Sequence, residues 1–463
     1  MSQGGRMNPY IFREYDIRGE ADRDLSDDVV FAIARAFAAR ARDSGARTCA
    51  LAWDIRLSSP RIKSAFCDGL LRSGLDVVRI GVVPTPVLYY AVSSLKMDAG
   101  AMITGSHNPP SQNGIKVSIG TQSLHGEEIR ALGDRIERGA FVDGEGSVRD
   151  VPILPDYHEM IVSRTKPARP LKVVLDMGNG CAGLAARGIF QALGHDAIAL
   201  FEEPDGRFPN HQPDPTVPAY MEDCRKRVLA EKADLGIGYD GDADRLGVID
   251  EEGVLLFGDQ ILALLARDVL SRNPGAKVVF DVKCSQALEE DIRAHSGVPI
   301  MWKTGHSLTK AKMRQEGALI AGEMSGHMFF TENFFGHDDA IYASAVFARF
   351  LAGQHRPLSE IRRSLPQYVN SPEIRITCSD EAKFRVVGAV ARTLAARYPV
   401  NTIDGVRARI ASGWGLLRAS NTQPVLVLRF EAGTEADLQL IRGIFQGELA
   451  GFPEVIWTEG PQH

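Results

Sequence analysis

The sequence predicts an α/β fold of successive domains, closed by a smaller α+β unit. Three observations carry that prediction. Strand-like and helix-like segments alternate along most of the chain, which reads as βαβ units around mixed, mostly parallel sheets. The length of 463 residues suits three or four units of roughly 100–150 residues each. Past Pro366 the rhythm changes to strands paired around two helices, the pattern of an α+β domain.

The elements follow in order. A helical stretch at 26–43 precedes the apolar run T-C-A-L-A-W, and a second at 60–73 precedes D-V-V-R-I-G. G-A-M-I-T is again strand-like and ends at a loop. The rhythm returns at 171–176, 233–239 and 277–282. In the last part R-I-T-C and P-V-L-V-L-R-F read as strands, with helices at 380–397 and 434–448. The Gly- and charge-rich stretch 139–155, the turn Asp250–Gly253 and Pro366 mark boundaries, giving domains 1–150, 151–253, 254–365 and 366–463.

Hydrophobic residues make up 44% and charged residues 24%, ordinary globular values that argue against global disorder. A net charge of −6 excludes a surface built for nucleic acid or anionic membranes. Cationic partners for an anionic substrate must therefore be gathered locally. The six cysteines form no C-x-x-C pair or zinc-spaced cluster, and no secretory h-region or membrane-length apolar run is present. These features read as reduced thiols in a cytoplasmic protein, with no obligatory protein partner evident.

The strongest chemical signal is Asp240-Gly241-Asp242-Ala243-Asp244-Arg245, placed after the strand 233–239. Open α/β sheets bind ligands at such strand ends. Carboxylates on alternate residues of a tight loop repel one another, and a hard divalent cation relieves this. An EF-hand is excluded, because Arg245 stands where that loop needs Gly and a strand precedes it.

Thr104-Gly105-Ser106-His107-Asn108-Pro109 also follows a strand. It reads as an accessible nucleophile or phosphate carrier; alone, it reads more readily as an ordinary turn. A serine hydrolase is disfavoured, since the G-x-S-x-G elbow is absent. The turn at Asn113-Gly114-Ile115-Lys116 is expected to return Lys116 to the same loop. Gly322-Glu323-Met324-Ser325-Gly326-His327 sets a carboxylate, a hydroxyl and an imidazole on alternate residues. In an extended loop these would share one face and suit sugar hydroxyls; a solvated Gly-rich turn is the alternative. Arg418-Ala419-Ser420-Asn421-Thr422-Gln423-Pro424 offers a planar fork and short donors for a phosphate, or is simply a polar loop before a strand. Gly178-Asn179-Gly180-Cys181-Ala182-Gly183, with Glu202 and Glu203 downstream, meets the dinucleotide-binding fingerprint. An NAD-dependent oxidoreductase would, however, leave the Asp240 and Ser106 loops unexplained, so close strand–helix packing is the competing reading.

Taken together and in this order, T-G-S-H-N-P, D-G-D-A-D-R, G-E-M-S-G-H and R-A-S-N-T-Q-P resemble the α-D-phosphohexomutase superfamily, in particular its bacterial phosphomannomutase/phosphoglucomutase branch. The resemblance runs from Tyr10 to the last loop and includes F-P-N-H-Q-P-D-P (208–215) and K-T-G-H-S (303–307). It implies four domains around a central cleft and a phosphoserine at Ser106. The metal, Mg²⁺, would be held by Asp240, Asp242, Asp244 and an oxygen on Ser106. Glu323 and Ser325 would bind sugar hydroxyls, with Met324 and Gly326 in the same loop. Arg418, Ser420, Asn421 and Thr422 would hold the non-reacting phosphate, with Arg429 also binding substrate. Tyr15, Arg18, Lys116, Arg245, Lys283, His306 and His327 would line the cleft, with Arg18, Lys116, Arg245, His306 and His327 taking part in catalysis. The implied reaction interconverts hexose 1- and 6-phosphates, with glucose 1,6-bisphosphate as activator and intermediate. Lys116 and His327 both stand as candidates for the general base. Met324 points to glucose and mannose phosphates; a phosphoglucosamine mutase and a metal-dependent sugar-phosphate phosphatase are the alternatives.

Overall fold

The computed structural model describes residues 7–420 and 423–457. The expected phosphate-loop residues Asn421 and Thr422 thus lie outside the described residues. The chain forms two compact units, Met1–Ile261 with Ser325–Ser359, and Leu262–Met324 with Glu360–His463.

The first unit holds two sheets. One is built from β1 (Ile17–Glu20), β2 (Thr48–Trp53), β3 (Asp76–Val82), β4 (Ala99–Ile103), β5 (Gln112–Ile119), β6 (Gln122–Ser123) and β7 (Val148–Asp150), in the order β1-β5-β4-β2-β3-β7 with β6 on β5. β4, β2, β3 and β7 run parallel, while β5 is antiparallel to both β1 and β4. The inner parallel strands β2 and β4 are apolar because they are covered on both faces; every residue of β4 is buried, whereas β7 at the edge is exposed throughout. Helices Asp27–Asp43 and Ser59–Arg72 pack closely, because a Cβ on Gly69 would sit 2.5 Å from Ala34 Cβ. Aspartates open the first helix and arginines close it, matching its dipole.

One expectation is corrected here. Asn113–Lys116 is not a turn but lies within β5, and Met102 pairs with Lys116 across the ladder. The reversal is made by residues 104–111 themselves. Two antiparallel strands thus meet at the Ser106 loop, and Lys116 rises from a fixed register position.

The second sheet contains β8 (Lys172–Asp176), β9 (Asp196–Leu200), β10 (Leu235–Tyr239), β11 (Leu246–Asp250) and β12 (Leu255–Leu256), in the order β12-β11-β10-β8-β9. β10 is parallel to β8 and antiparallel to β11. The Asp240 loop is accordingly the connection of the β10–β11 hairpin.

In the second unit β13 (Lys277–Asp281) lies between β14 (Val298–Trp302) and β15 (Ile320–Gly322), all parallel. The C-terminal sheet is antiparallel, with β16 (Ile374–Thr377) and β18 (Gly413–Ala419) on either side of β19 (Val425–Ala432), and β17 (Val406–Ile410) beyond β18. Helices Lys383–Ala395 and Glu435–Leu449 bury Val386, Val390, Ile441 and Phe445 in one core with Leu417, Leu428 and Phe430. The 380–397 and 434–448 expectations match these helices within a few residues. Among the described residues no helix is long and apolar enough to cross a membrane. All six cysteines are free and buried.

Candidate active site

Ser106 lies at the strand reversal between β4 and β5 and is 2% exposed. Its φ of +50° is uncommon for a residue with a side chain, so the surroundings must hold it. They do so with side chains. Thr104 Oγ1 accepts from Ser106 N at 2.9 Å. Arg56, buried behind β2, donates to the carbonyl oxygens of Ser106 (2.7 Å), Asn108 (2.5 Å), Pro109 (2.6 Å) and Gln112 (2.9 Å). Gln212 Nε2 donates to the carbonyls of His107 (2.6 Å) and Asn108 (2.8 Å). Gly105 has to lack a side chain, since its Cβ would lie 2.5 Å from Arg56 Nε.

So held, Ser106 Oγ donates to Asp240 Oδ2 at 2.7 Å. Asp240, Asp242 and Asp244 are fully buried, and their carboxylate oxygens come within 4.8 Å of one another. Asp240 Oδ1 accepts from the amides of Asp244 and Arg245, both at 3.0 Å. Thr85 Oγ1 donates to Asp242 Oδ2 at 2.6 Å. Gly241 allows the two loops to touch: a Cβ there would be 2.4 Å from Ser106 O. Burial, with the charges of Asp244 and Asp242, pushes the Asp240 carboxyl well above the usual range.

This donor set fits a divalent cation. Asp242 Oδ1 and Asp244 Oδ1 are buried and have no hydrogen-bond partner, a costly arrangement unless a ligand completes it. Hard oxygen donors at a hairpin tip are what Mg²⁺ requires.

Lys116 supplies cationic charge to the same carboxylates. Its Nζ lies 2.9 Å from Asp242 Oδ2 and 2.5 Å from Asp244 Oδ2. Burial alone would lower its pKa, yet Asp242 and Asp244 outweigh that and leave it well above the usual value. Asp242 moves the other way: burial acts upward, but Lys116 and Thr85 leave it below the usual range.

Arg245 holds two imidazoles. Its Nε donates to His327 Nε2 at 3.1 Å, which assigns the His327 proton to Nδ1. That nitrogen lies 3.1 Å from Asp338 Oδ2 and 3.6 Å from Asp244 Oδ1. Arg245 Nη1 is 3.5 Å from His107 Nε2, and His107 Nδ1 is 3.0 Å from Ser106 Oγ. His107 titrates well below the usual histidine range, through burial and then Arg245 and Arg18; because the serine hydroxyl donates to Asp240 and Arg245 faces Nε2, the Nδ1-protonated tautomer is the one that suits this contact. Arg18 is fixed by Asp16 at 2.7 Å and reaches Asn108 Oδ1 at 3.0 Å. Tyr15 is half-buried just before β1.

In the second unit, Glu323 at the end of β15 accepts from Thr309 Oγ1 (2.7 Å) and Gly305 N (3.3 Å). His306, buried, begins the helix that carries Thr309. Asp281 Oδ1 accepts from the Met324 amide at 3.2 Å. Arg429 donates to the Lys283 carbonyl and to Met324 Sδ, and Lys283 Nζ pairs with Glu373 at 3.3 Å. Asp404 receives Arg418 Nε at 3.0 Å and the Thr304 amide at 3.1 Å. Lys383 Nζ donates to the carbonyls of Ser420 (2.6 Å) and Gln423 (3.1 Å). In the first unit, Gly326 adopts φ +90°, so the extended run assumed for Glu323, Ser325 and His327 is broken there. Their alternation therefore does not by itself set a common face.

Comparison with known proteins decides the family. Four successive segments match the phosphoglucomutase/phosphomannomutase alpha/beta/alpha domains I (9–143), II (155–253) and III (257–368) and the C-terminal domain (373–445). The chain belongs to the phosphoglucomutase/phosphomannomutase family. It is 46% identical over 440 residues to a phosphomannomutase/phosphoglucomutase of Pseudomonas aeruginosa, covering 95% of each chain. It is 43% identical over 455 residues to a phosphoglucomutase of Neisseria gonorrhoeae, covering 96% of this chain and 98% of that one. A crystal structure of a phosphoglucomutase/phosphomannomutase family protein from Burkholderia thailandensis superposes with a TM-score of 0.91 at 41% identity, covering 97% of this chain and 99% of that one.

For a phosphohexomutase-family chain, the G-x-G-x-x-G segment needs a structural account, and the structure supplies one. A Cβ on Gly180 would lie 2.9 Å from Gly241 O, and one on Gly183 would lie 2.0 Å from Glu202 O. These glycines let the turn after β8 pack against the metal loop and the Glu202 backbone. The residues that sequence reasoning missed are Arg56, Thr85, Asp338, Asp404, Glu373 and Lys383. Arg56 had a signal: it lies in the loop at the C-terminal end of β2, the ligand-facing end of a parallel sheet.

Proposed function

We propose that this chain interconverts hexose 1-phosphates and hexose 6-phosphates, mannose and glucose among them, through a phosphoserine at Ser106 and a hexose 1,6-bisphosphate. The observation that carries the reading is the hydrogen bond from Ser106 Oγ to Asp240 at 2.7 Å, inside a cluster of buried carboxylates and cations. A serine so placed is a phosphoryl carrier whose neighbours manage charge.

In the first half-reaction the free sugar hydroxyl attacks phosphorus while the bond to Ser106 Oγ breaks, and Oγ keeps the electron pair. Such transfers depend on positioning and charge stabilisation more than on covalent help. Arg245 and Lys116 supply fixed positive charge. Asp240, Asp242 and Asp244 would hold Mg²⁺, which when bound would supply Lewis-acid stabilisation of phosphoryl oxygens. The attacking hydroxyl's proton goes to His327 Nε2, which exchanges its hydrogen bond from Arg245 Nε for the sugar hydroxyl, while Asp338 Oδ2 stands 3.1 Å from Nδ1. Lys116, held protonated by two carboxylates, is unsuited to that task and serves as a charge neutraliser. The bisphosphate then turns around, and Oγ takes the other phosphoryl group.

In this reading Glu323 and Ser325 meet sugar hydroxyls beside Met324, and Arg418 with the Ser420–Thr422 segment holds the non-reacting phosphate. Asp404 orients the Arg418 fork from Nε. The test is a phosphorus NMR time course with Mg²⁺, a trace of glucose 1,6-bisphosphate and mannose or glucose 1-phosphate. The reading expects the 6-phosphate without inorganic phosphate. Inorganic phosphate alone would make the chain a phosphatase, and conversion of glucosamine phosphate alone would overturn the sugar assignment.

A further inference from the structure

Every consecutive carbonyl from Ser106 to Pro109 is bound by a side chain of Arg56 or Gln212. Ser106, Asn108 and Pro109 accept from Arg56, and His107 and Asn108 accept from Gln212. Loop carbonyls ordinarily bond to other backbone groups or to water. Here two residues far away in sequence take them up, one from the end of β2 and one from the segment 208–215 beside the second sheet.

The placement of both clasps is itself enforced. Arg56 is 1% exposed, and its Nε lies 3.3 Å from Asp54 Oδ2. Asp54 also accepts from Gly105 N at 3.2 Å and Arg56 N at 3.0 Å, so it ties the arginine to the loop that it grips. A Cβ on Gly206 would sit 2.5 Å from Ile55 O and 2.8 Å from Arg56 Cα; a turn of the second sheet's domain thus presses on the arginine backbone. Phe208 stacks under the guanidinium at 5.1 Å. Gln212 is carried by the same 203–215 stretch, in which His211 is anchored to Asp176 at 3.2 Å.

A carbonyl oxygen carries partial negative charge, and a phosphoryl group on Ser106 brings roughly two negative charges. Carbonyls that rotated towards that group would repel it, and a loop that shifted would move Oγ off the line of transfer. A misplacement of about 1 Å can cost on the order of 100-fold in rate.

We propose that Arg56 and Gln212 are positioning residues for the phosphoserine. By holding the carbonyls of residues 106–109 on their own donors, they keep the phosphoryl group in line for the sugar hydroxyl and out of reach of water. In the side reaction they suppress, a water oxygen bonds to phosphorus as the Oγ–P bond breaks, Oγ takes up a proton, and inorganic phosphate leaves. This inference rests on the mutase reading of Ser106.

The test compares wild type with Gln212→Glu, which keeps the shape but turns a donor into an acceptor, and with Arg56→Lys. Each is phosphorylated with glucose 1,6-bisphosphate, freed of ligand, and followed by intact mass for loss of the phosphoryl group. Steady-state kcat and KM and thermal midpoints are measured alongside. Gln212→Glu is expected to shorten the phosphoenzyme half-life at least 10-fold and lower kcat at least 10-fold, with KM within about threefold of wild type and little change in midpoint. Arg56→Lys should fall between the two where it folds, and Gln212→Glu decides the matter where it does not. A Gln212→Glu protein with wild-type phosphoenzyme half-life and kcat would overturn the proposal, as would a loss of kcat only in proportion to lost folded protein. A wild type that never carries phosphate on Ser106 would instead overturn the mutase reading, and this inference with it.

Discussion

Lys116→Met isolates the electrostatics at the heart of the site. Lys116 Nζ is shared between Asp242 and Asp244 at 2.9 and 2.5 Å, and all three side chains are buried. Removing one partner of a buried ion pair costs roughly 3–5 kcal/mol, because the remaining charge stays desolvated. At about 2–4 °C per kcal/mol for a domain of this order, the melting transition of the first unit should drop on the order of 10 °C at pH 8 in EDTA. The same lysine sets a positive charge on the two carboxylates whose unpartnered Oδ1 atoms would take a divalent cation. Its removal should therefore tighten Mg²⁺ binding, each tenfold being about 1.4 kcal/mol. Mg²⁺ at 100 times the variant's Kd contributes about 2.7 kcal/mol to it, and the same concentration is a smaller multiple of the wild type's weaker Kd, so it should recover much of the loss and raise the variant's midpoint more than the wild type's. Differential scanning calorimetry in EDTA and across a Mg²⁺ series reads both effects. A metal-free midpoint within about 2 °C of wild type, or equal Mg²⁺ increments in the two proteins, would refute the reasoning.

Two further perturbations probe the helix that starts beside the metal loop. Asp338→Asn removes the carboxylate that faces His327 Nδ1 at 3.1 Å; kcat should fall on the order of 100-fold with the thermal midpoint little changed, and a kcat within twofold of wild type would count against His327 as the base. Asp339 caps the helix Ala340–Ala352 and accepts from Tyr157 Oη at 2.9 Å, and burial raises its pKa to about 7. The folded state then binds more protons than the unfolded state between the unfolded carboxyl value of about 4 and pH 7, so this group's contribution to stability is present below that window and lost as pH rises through it. Asp339→Asn, which can keep the cap, should flatten the fall by a few kcal/mol; denaturant unfolding at pH 5 and pH 8 checks it, and parallel profiles in the two proteins would contradict it.

The parts of the site that were legible in the sequence are those written in short, contiguous motifs at strand ends. Asp240, Asp242 and Asp244 announce themselves because carboxylates on alternate residues are costly without a cation. Ser106 is legible as a turn, but its left-handed φ and its bond to Asp240 depend on β4 and β10 ending near one another, a long-range fact. Lys116 was expected near the Ser106 loop for the wrong local reason: a strand register delivers it, not a turn. Arg56 and Gln212 were illegible as loop clasps because each acts on a carbonyl more than 50 positions away, and backbone acceptors carry no sequence signature. Asp338 was hidden in the same way, since a buried carboxylate facing an imidazole from a neighbouring segment looks like any other acidic residue in a loop. In the C-terminal domain, helix periodicity gave both helices, while β17 and β18 went unread because glycines at 413 and 415 interrupt the apolar pattern. Gly415 is there for packing, since a Cβ would lie 2.4 Å from the Phe445 ring.

The central claim is that Ser106 carries the phosphoryl group between the two positions of the sugar. The most direct measurement charges the protein with glucose 1,6-bisphosphate, removes excess ligand, maps the added phosphoryl group by peptide mass spectrometry, and then adds one equivalent of mannose 6-phosphate. The account predicts the phosphoryl group on Ser106 and its transfer to the sugar as mannose 1,6-bisphosphate, with Ser106→Ala neither charging nor turning over. A phosphoryl group on another residue, or turnover by Ser106→Ala at a rate near wild type, would contradict it.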